Sequence, residues 1–296
     1  MDLERLNAFL AVASEGSFSG AARKIFKTQP AVSQSVAALE RELGQRLLVR
    51  GGGRVELTQA GELLFGFARR ALHILGRGKA ELEALKGLQT GKLTIGASDT
   101  TACYIMPPWL RAFRRRYPGV EIVLSNRTSP AVARQVLGHE VDFGIVTLPV
   151  QHPRLQVEEI AVREDVLICP PNHPLARRKR VRLAEMQPYS FILLDRGSST
   201  RRFIDEQFDR AGISPKPAME VAGIEVMKKL VELGFGLSIV PYVAVREEVS
   251  RKTLRAVSIF RKSEARKLGV IHLKREPPSP AARAFLEVMR GSAGKK

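Results

Sequence analysis

Gln29, Ser33, Gln34 and Ala37 fall at positions interleaved with Val32, Val36, Leu39 and Leu43. The apolar four are spaced 4, 3 and 4 and form one helical stripe, so a helix that buries them presents the other four outward. The chemistry of that outward set suits base edges: Gln bonds adenine bidentately, Ser meets several edges, and Ala packs on a thymine methyl. Lys24, Lys27, Arg50 and Arg54 surround it with cations that hold phosphates and set register without reading sequence. Arg54, on a predicted hairpin, has the minor groove as an alternative. Thr28 is the expected N-cap of this helix, with Gln29 and Pro30 in its first turn, where a missing N–H costs nothing. An ordinary three-helix core with a polar face has the same spacing, so periodicity alone leaves both readings open.

A second set is rich in hydroxyls. Ser98-Asp99-Thr100-Thr101 follows one predicted strand and opens a helix, and Arg196-Gly197-Ser198-Ser199-Thr200-Arg201 follows another. Strand ends that feed helix N-termini bind anions through free N–H groups and the helix dipole. Each hydroxyl is equally suited to capping its helix. Asp99 would repel an anion, and Arg201 and Arg202 are the cations expected to offset it.

Catalytic and metal motifs fail on inspection. In Gly16-Ser17-Phe18-Ser19-Gly20, phenylalanine occupies the position a nucleophile elbow gives to serine. Gly51-Gly52-Gly53 lacks the lysine and hydroxyl of a phosphate loop. His139-Glu140 has Phe143 where a zinc motif needs a second histidine, and the five histidines match no zinc spacing. Cys103 and Cys169 lie far apart and are expected to be buried structural thiols rather than a redox pair. The sequence therefore predicts no catalytic residues, no metal and no cofactor. The arginines at 111, 114, 115 and 116 read as a solvated helix face, with a secondary DNA or interface contact as the alternative.

The elements that position these groups follow from periodicity. Helices are expected over residues 1–16, 20–26 and from Thr28 to Gly44, then a glycine-tipped hairpin over 47–57. That order is a winged helix-turn-helix. Thr58 caps a long helix to about Leu88, along which Leu64, Ala68, Ala71, Leu75, Gly78, Leu82 and Leu85 form a heptad seam. The seam pairs with a second chain or packs on its own domain; the helix's length favours the former. From Gly91, strands and helices alternate, which predicts parallel sheets in two α/β lobes. One helix is expected over Thr101–Tyr117, strands at 165–169, 191–194, 218–221, 237–240 and 267–272, and a last helix at 281–289.

The chain has 296 residues, 44% hydrophobic and 26% charged, with mean hydropathy −0.09. That excludes a mainly disordered chain and calls for two or three domains. No apolar run approaches the roughly 18 residues of a membrane span. An acidic N-terminus argues against a signal peptide, so the cytoplasm is the expected location and no membrane partner is expected. The net charge of +18 favours polyanions. Its placement is uneven: 13 Lys+Arg against 9 Asp+Glu in residues 1–90, and 35 against 21 in residues 91–296.

Residues 2–61 resemble the DNA-binding domain of LysR-type transcriptional regulators. The resemblance rests on Ala21-Ala22, Gln29-Pro30-Ala31-Val32-Ser33, Leu39-Glu40, Leu43-Gly44 and Leu57-Thr58-Gln59-Ala60-Gly61. It continues through Ile95-Gly96-Ala97-Ser98, Asp142-Phe143-Gly144-Ile145 and Gly234–Pro241. Two departures stand out: Leu48 replaces a frequent Phe, and Gln34 replaces a frequent Arg or Lys, which bears on base preference. The resemblance implies an α+β multidomain chain. A winged helix-turn-helix (1–58) and a linker helix (59–90) precede a two-lobed, type 2 periplasmic-binding-protein-like effector domain (91–296). Lobe one is 91–163 plus 267–296, and lobe two is 164–266. It implies dimers, often tetramers, on double-stranded promoter DNA, with RNA polymerase a further expected partner. It places effector contacts at Ser98, Thr100, Asn126, Thr128, Ser129, Thr147, Ser199 and Thr200, to which the strand-end argument adds Thr101. Activation and repression both fit. An enzyme acting on an acidic metabolite would need an acid/base constellation that the sequence lacks. A charge-driven architectural DNA binder would be told apart by its indifference to sequence.

Overall fold

The computed structural model describes residues 1–51, 54–84, 87–259 and 265–293. The chain forms two compact units, Met1–Leu82 and Glu83–Lys296.

The first unit begins with α1 (Leu3–Glu15), whose N-cap Asp2 accepts from the Arg5 N–H at 2.8 Å. Gly16 ends it at φ +64°, a left-handed position that glycine takes without strain. Helix α2 runs from Phe18 to Lys24, capped by Ser17. It thus starts two residues before the predicted 20–26 helix and stops short of Phe26, which sits at φ +54°. Helix α3 (Gln29–Leu43) is capped by Thr28 and buries Val32, Val36 and Leu39 of the predicted stripe; Leu43, its expected fourth member, is exposed at the last turn, where the helix runs out beyond the core. Strands β1 (Leu48–Gly51) and β2 (Arg54–Leu57) pair antiparallel. The Glu40 carboxylate accepts from the N–H groups of Leu47 and Leu48, at 2.7 and 3.1 Å, and so ties the hairpin to α3.

Helix α4 (Gln59–Ala84) is capped by Thr58, whose Oγ1 accepts from the Gly61 N–H at 2.9 Å. Gly61 lies against the Leu47 carbonyl, where an added Cβ would come within 2.0 Å of the oxygen. The helix does not reach Leu88 as expected: Gly87 is already at φ +83°.

The second unit is built, in order, from β3 (Gly91–Ala97), α5 (Pro107–Arg116), β4 (Val120–Asn126), α6 (Ser129–Leu137), β5 (Phe143–Thr147) and β6 (Leu155–Arg163). Then come β7 (Asp165–Cys169), β8 (Ser190–Leu194), α7 (Ser199–Arg210), β9 (Lys216–Val221) and α8 (Ile224–Glu232). Last are β10 (Ser238–Pro241), α9 (Arg246–Arg251), β11 (Arg255–Ser258), β12 (Arg266–Leu273) and α10 (Pro280–Ala293). Lobe one is a five-stranded sheet ordered β4-β3-β5-β12-β6, with Phe113, Phe143 and Phe285 in its core on the side of α5 and α10. Lobe two holds β10-β7-β11 and β8-β9, joined by a bridge from Phe191 to Leu237.

The sheets are mixed, not purely parallel. Strand β3 is parallel to β4 and β5, and β8 to β9, but β12 runs antiparallel to both its neighbours, as do β10 and β11 to β7. Each antiparallel pair of this unit includes β6, β7, β11 or β12, the strands next in sequence to the two changes of lobe. The predicted helix over 101–117 is two pieces: a π turn at Thr101–Ile105, then α5 restarting at Pro107. A Pro-Pro pair cannot continue a preceding helix but can open a new one. Strands β6 and β11 and helix α9 were not anticipated. Among the described residues no helix is long and apolar enough to cross a membrane.

Candidate nucleic-acid interface and ligand cleft

On the first unit, Gln29, Pro30, Gln34 and Ala37 are exposed along α3, and Ser33 is half-buried beside them. Gln29 is partly oriented by Ser19, whose hydroxyl donates to its Oε1 at 3.1 Å. Thr28 is exposed, with Oγ1 engaged in capping. Lys24 pairs with Glu15 at 2.6 Å, and Lys27 with Glu4. Such surface pairs are worth about 0–1 kcal/mol and exchange readily for a phosphate. Arg54 is exposed at the start of β2 without a carboxylate partner among the described residues. The Arg50 side chain lies outside the described residues. Phe26, just ahead of α3, is 96% exposed in its left-handed conformation, a feature the spacing argument overlooked.

The heptad seam divides. Ala68 is buried in the first unit's own core, and Leu64 packs against that core. Ala71, Leu75, Gly78 and Leu82 are exposed or half-buried, and Leu63, Phe67 and Ile74, which the seam did not include, are exposed. Leu85 lies outside the described residues. The end of α4 near the hairpin therefore completes its own domain, while the far end keeps an apolar face.

Between the lobes of the second unit lies a cavity of about 360 Å³. Lobe one contributes Ser98, Asp99, Thr100, Asn126, Arg127, Thr128, Ser129, Thr147 and Arg163; lobe two contributes Leu194, Asp195, Ser198–Thr200 and Ala222–Ile224. The predicted set thus meets at one place, with one exception. Thr101 is fully buried and does not line the cavity, its Oγ1 lying 2.9 Å from the Ser98 hydroxyl.

Arg163, which lines the cavity, and Arg266 behind it were not foreseen. Arg163, at the end of β6, has a side chain 3% exposed and lies against the Asp165 carboxylate at 3.1 Å. It donates to Thr147 Oγ1 at 3.3 Å and to Thr200 Oγ1 at 3.2 Å. Arg266, at the start of β12, donates to the same Thr200 oxygen at 3.0 Å and to the Ser199 carbonyl at 3.1 Å; it stands 3.7 Å from Asp165 and over the Phe203 ring. Burial first, and the charge of Arg163 second, push the Arg266 guanidinium down to about 9, which still leaves it protonated at neutral pH. Two buried cations thus share one carboxylate.

The hydroxyls are polarised by this network. Thr200 Oγ1 accepts from two guanidiniums, Thr147 Oγ1 from one, and Ser129 Oγ from the Thr147 N–H at 3.1 Å. A hydroxyl has two acceptor sites and one proton, so each keeps its proton for a further acceptor. The cations that line the cavity with Asp99 are Arg127 and Arg163, not the expected Arg201 and Arg202. Arg201 is turned away: it is buried against Asp205, Glu220 and the Leu194 carbonyl. Asp99 itself accepts from Asn126 Nδ2 at 3.0 Å. Arg163 and Arg266 lacked a sequence signal because each lies in a strand, outside the strand-to-helix turns where anion sites were sought.

The lobes also meet at Tyr104, whose hydroxyl donates to Glu225 while the Lys228 ammonium lies over its ring. Cys169 is buried, its thiol pushed up to about 11 by burial. Cys103 is exposed, contrary to expectation, and partial burial followed by Asp99 raises its pKa as well. Neither environment favours a reactive thiolate.

Residues 3–62 match the family described as bacterial regulatory helix-turn-helix protein, lysR family, and residues 86–294 match the LysR substrate binding domain. A probable RuBisCO transcriptional regulator from Cyanidioschyzon merolae is 33% identical, with 97% of each chain covered. Full-length CbnR in complex with its target DNA has a similar structure: TM-score 0.68, 27% identity, covering 99% of this chain and 100% of that one. A full-length OxyR point variant from Pseudomonas aeruginosa shares the fold at TM-score 0.75 and 22% identity, over 100% and 95% of the two chains. With an exposed recognition helix in its first unit and a hydroxyl-lined cleft in its second, this chain belongs to the LysR family: a DNA-binding transcriptional regulator with an effector-binding domain, regulatory rather than catalytic.

Proposed function

We propose that this regulator reads DNA in a sequence-specific manner and that a small anion in the interlobe cavity sets its DNA-bound conformation. The observation that carries the anion is the pair of buried guanidiniums sharing Asp165, together with hydroxyls whose protons are left to donate. A buried cation with incomplete compensation is costly. A carboxylate or phosphate beside Arg163 offsets that cost with charge-assisted hydrogen bonds. The volume suits a small metabolite. Ser98, Thr100, Asn126, Thr128, Ser129, Thr147, Ser199 and Thr200 are its other contacts.

On the DNA side, Gln29, Ser33 and Gln34 read bases, while Lys24, Lys27, Thr28, Pro30, Arg50 and Arg54 hold the backbone. Ala71, Leu75, Gly78 and Leu82 pair two chains in the cytoplasm, and the dimer's two recognition helices enter successive major grooves. RNA polymerase is the downstream partner. The effector shifts the lobes by no more than its differential affinity for their two arrangements allows. Titration calorimetry of the full chain against a panel of carboxylates, phosphates, neutral and cationic metabolites tests the reading. At least one anion is expected to bind; hits confined to neutral or cationic compounds would overturn it.

A further inference from the structure

Residues 91–296 carry most of the positive charge, and the cavity uses little of it. Its densest surface concentration is on lobe two. Arg177, Arg178, Lys179, Arg180 and Arg182 are all exposed within six residues. Glu185 lies 3.5 Å from Arg182 and within electrostatic reach of Arg178; apart from Arg182, none of the five has a carboxylate within ion-pairing distance among the described residues. These cations are displayed on a fixed ridge. Leu175 before them and Val181 within them are buried in the lobe's core. The Arg178 N–H donates to the Leu175 carbonyl at 3.1 Å, the Val181 N–H donates to the Ser258 carbonyl at 3.0 Å, and Arg180 bridges to Ser258 at the edge of β11. Like charges held this close repel one another, and among the described residues the fold sets a single carboxylate, Glu185, against the five.

The composition of the ridge selects the partner. A protein interface needs a desolvated apolar or aromatic centre. The only apolar side chain between Arg177 and Arg182 is Val181, and it points into the core. Backbone contacts to a nucleic acid need only cations that release counterions. We infer that the ridge over Arg177–Arg180 is a second DNA-contacting surface, binding duplex phosphates independently of sequence while the recognition helix reads bases.

The slope of log affinity against log salt counts phosphate contacts. It can be measured by fluorescence anisotropy with the full chain on a random-sequence duplex of about 90 base pairs, between about 50 and 200 mM KCl. Replacing Arg178, Lys179 and Arg180 together by Gln is expected to reduce the slope by about 2–3, since each lost phosphate contact removes about 0.9. Replacing Arg111, Arg114 and Arg115 by Gln removes the same charge from α5 and is expected to leave the slope unchanged. The Arg178→Lys/Arg180→Lys variant keeps the charge and is expected to keep the slope. An unchanged slope for the ridge triple, equal losses for both triples, or loss in the charge-keeping variant would each overturn the inference. So would a ridge that is dispensable for DNA but required for binding polyglutamate or anionic lipid vesicles.

Discussion

The recognition face and the cleft use polar side chains in opposite ways. On α3 the glutamines stand in solvent, and the bonds they make are few and weakly held. At the cleft, Arg163, Asp165, Thr200 and Arg266 are each nine-tenths or more buried and bond to one another, while Arg163 Nε and Asp165 Oδ1 keep no hydrogen-bond partner among the described residues. A surface that must test many sequences keeps its donors hydrated, so that each correct base pair adds a modest increment. A cavity that must recognise one charge prepares its donors in advance, in a medium where they count for more. Damage to the cleft should therefore be large and concentrated, and damage to the helix small and distributed.

Arg163→Met is the sharpest way to break that contrast. It removes the buried cation that lines the cavity and leaves Asp165 with only the more distant Arg266. Losing one partner of a buried pair costs about 3–5 kcal/mol. The anion found by calorimetry should bind at least about a hundredfold more weakly (about 1.4 kcal/mol per tenfold), and thermal melting should show a destabilised second unit. Affinity for random DNA should stay as it was. A variant that keeps anion affinity would show that Arg163 is only structural.

The cleft and the recognition face also differed in how much the sequence revealed. The face was legible because helical periodicity separates Val32, Val36 and Leu39 from Gln29, Ser33 and Gln34 within one element. The rim of the cleft was legible for a related reason: Ser98–Thr100 and Ser198–Thr200 sit at local strand-to-helix turns. The buried arginines beneath it were not, because Arg163 and Arg266 are 103 positions apart and meet only where β6 and β12 pair. The α4 seam was half legible. Leu64 and Ala68 lie where the first unit's core covers them, and no local pattern marks that boundary. The mixed strand directions depend on how the chain returns from lobe two, which is also non-local.

A smaller effect sharpens the comparison from the DNA side. Gln29→Ala should cost about 1–3 kcal/mol at the preferred base and nearly nothing on random DNA, because it removes base reading alone. Lys24→Ala should weaken all duplexes alike and lower the salt slope by about 0.9. Competition binding with a randomised library distinguishes the two. Equal profiles for both variants would mean that Gln29 does not read bases.

The smallest expected change is a gain. Phe26 holds a left-handed conformation that costs a non-glycine residue roughly 1–2 kcal/mol, and its ring buries almost nothing in return. Glycine gives back roughly 0.5–1 kcal/mol through the unfolded chain. Phe26→Gly should therefore stabilise the first unit by about 0.5 kcal/mol, seen as a slight rise in its melting midpoint. A fall instead would mean that the ring makes a contact worth more than the strain.

Thr200 gives the effector domain a mechanical character. Its single oxygen, at the N-terminus of a lobe-two helix, is gripped by one guanidinium from each of the two strands of lobe one that border the crossings. A displacement of about 1 Å directed away from both donors stretches both bonds beyond useful length together. Small wobbles are thus resisted from two directions, whereas a motion large enough to release one grip releases the other. The pivot behaves like a snap fastener: stiff about the position it holds, and yielding abruptly once the oxygen leaves both donors.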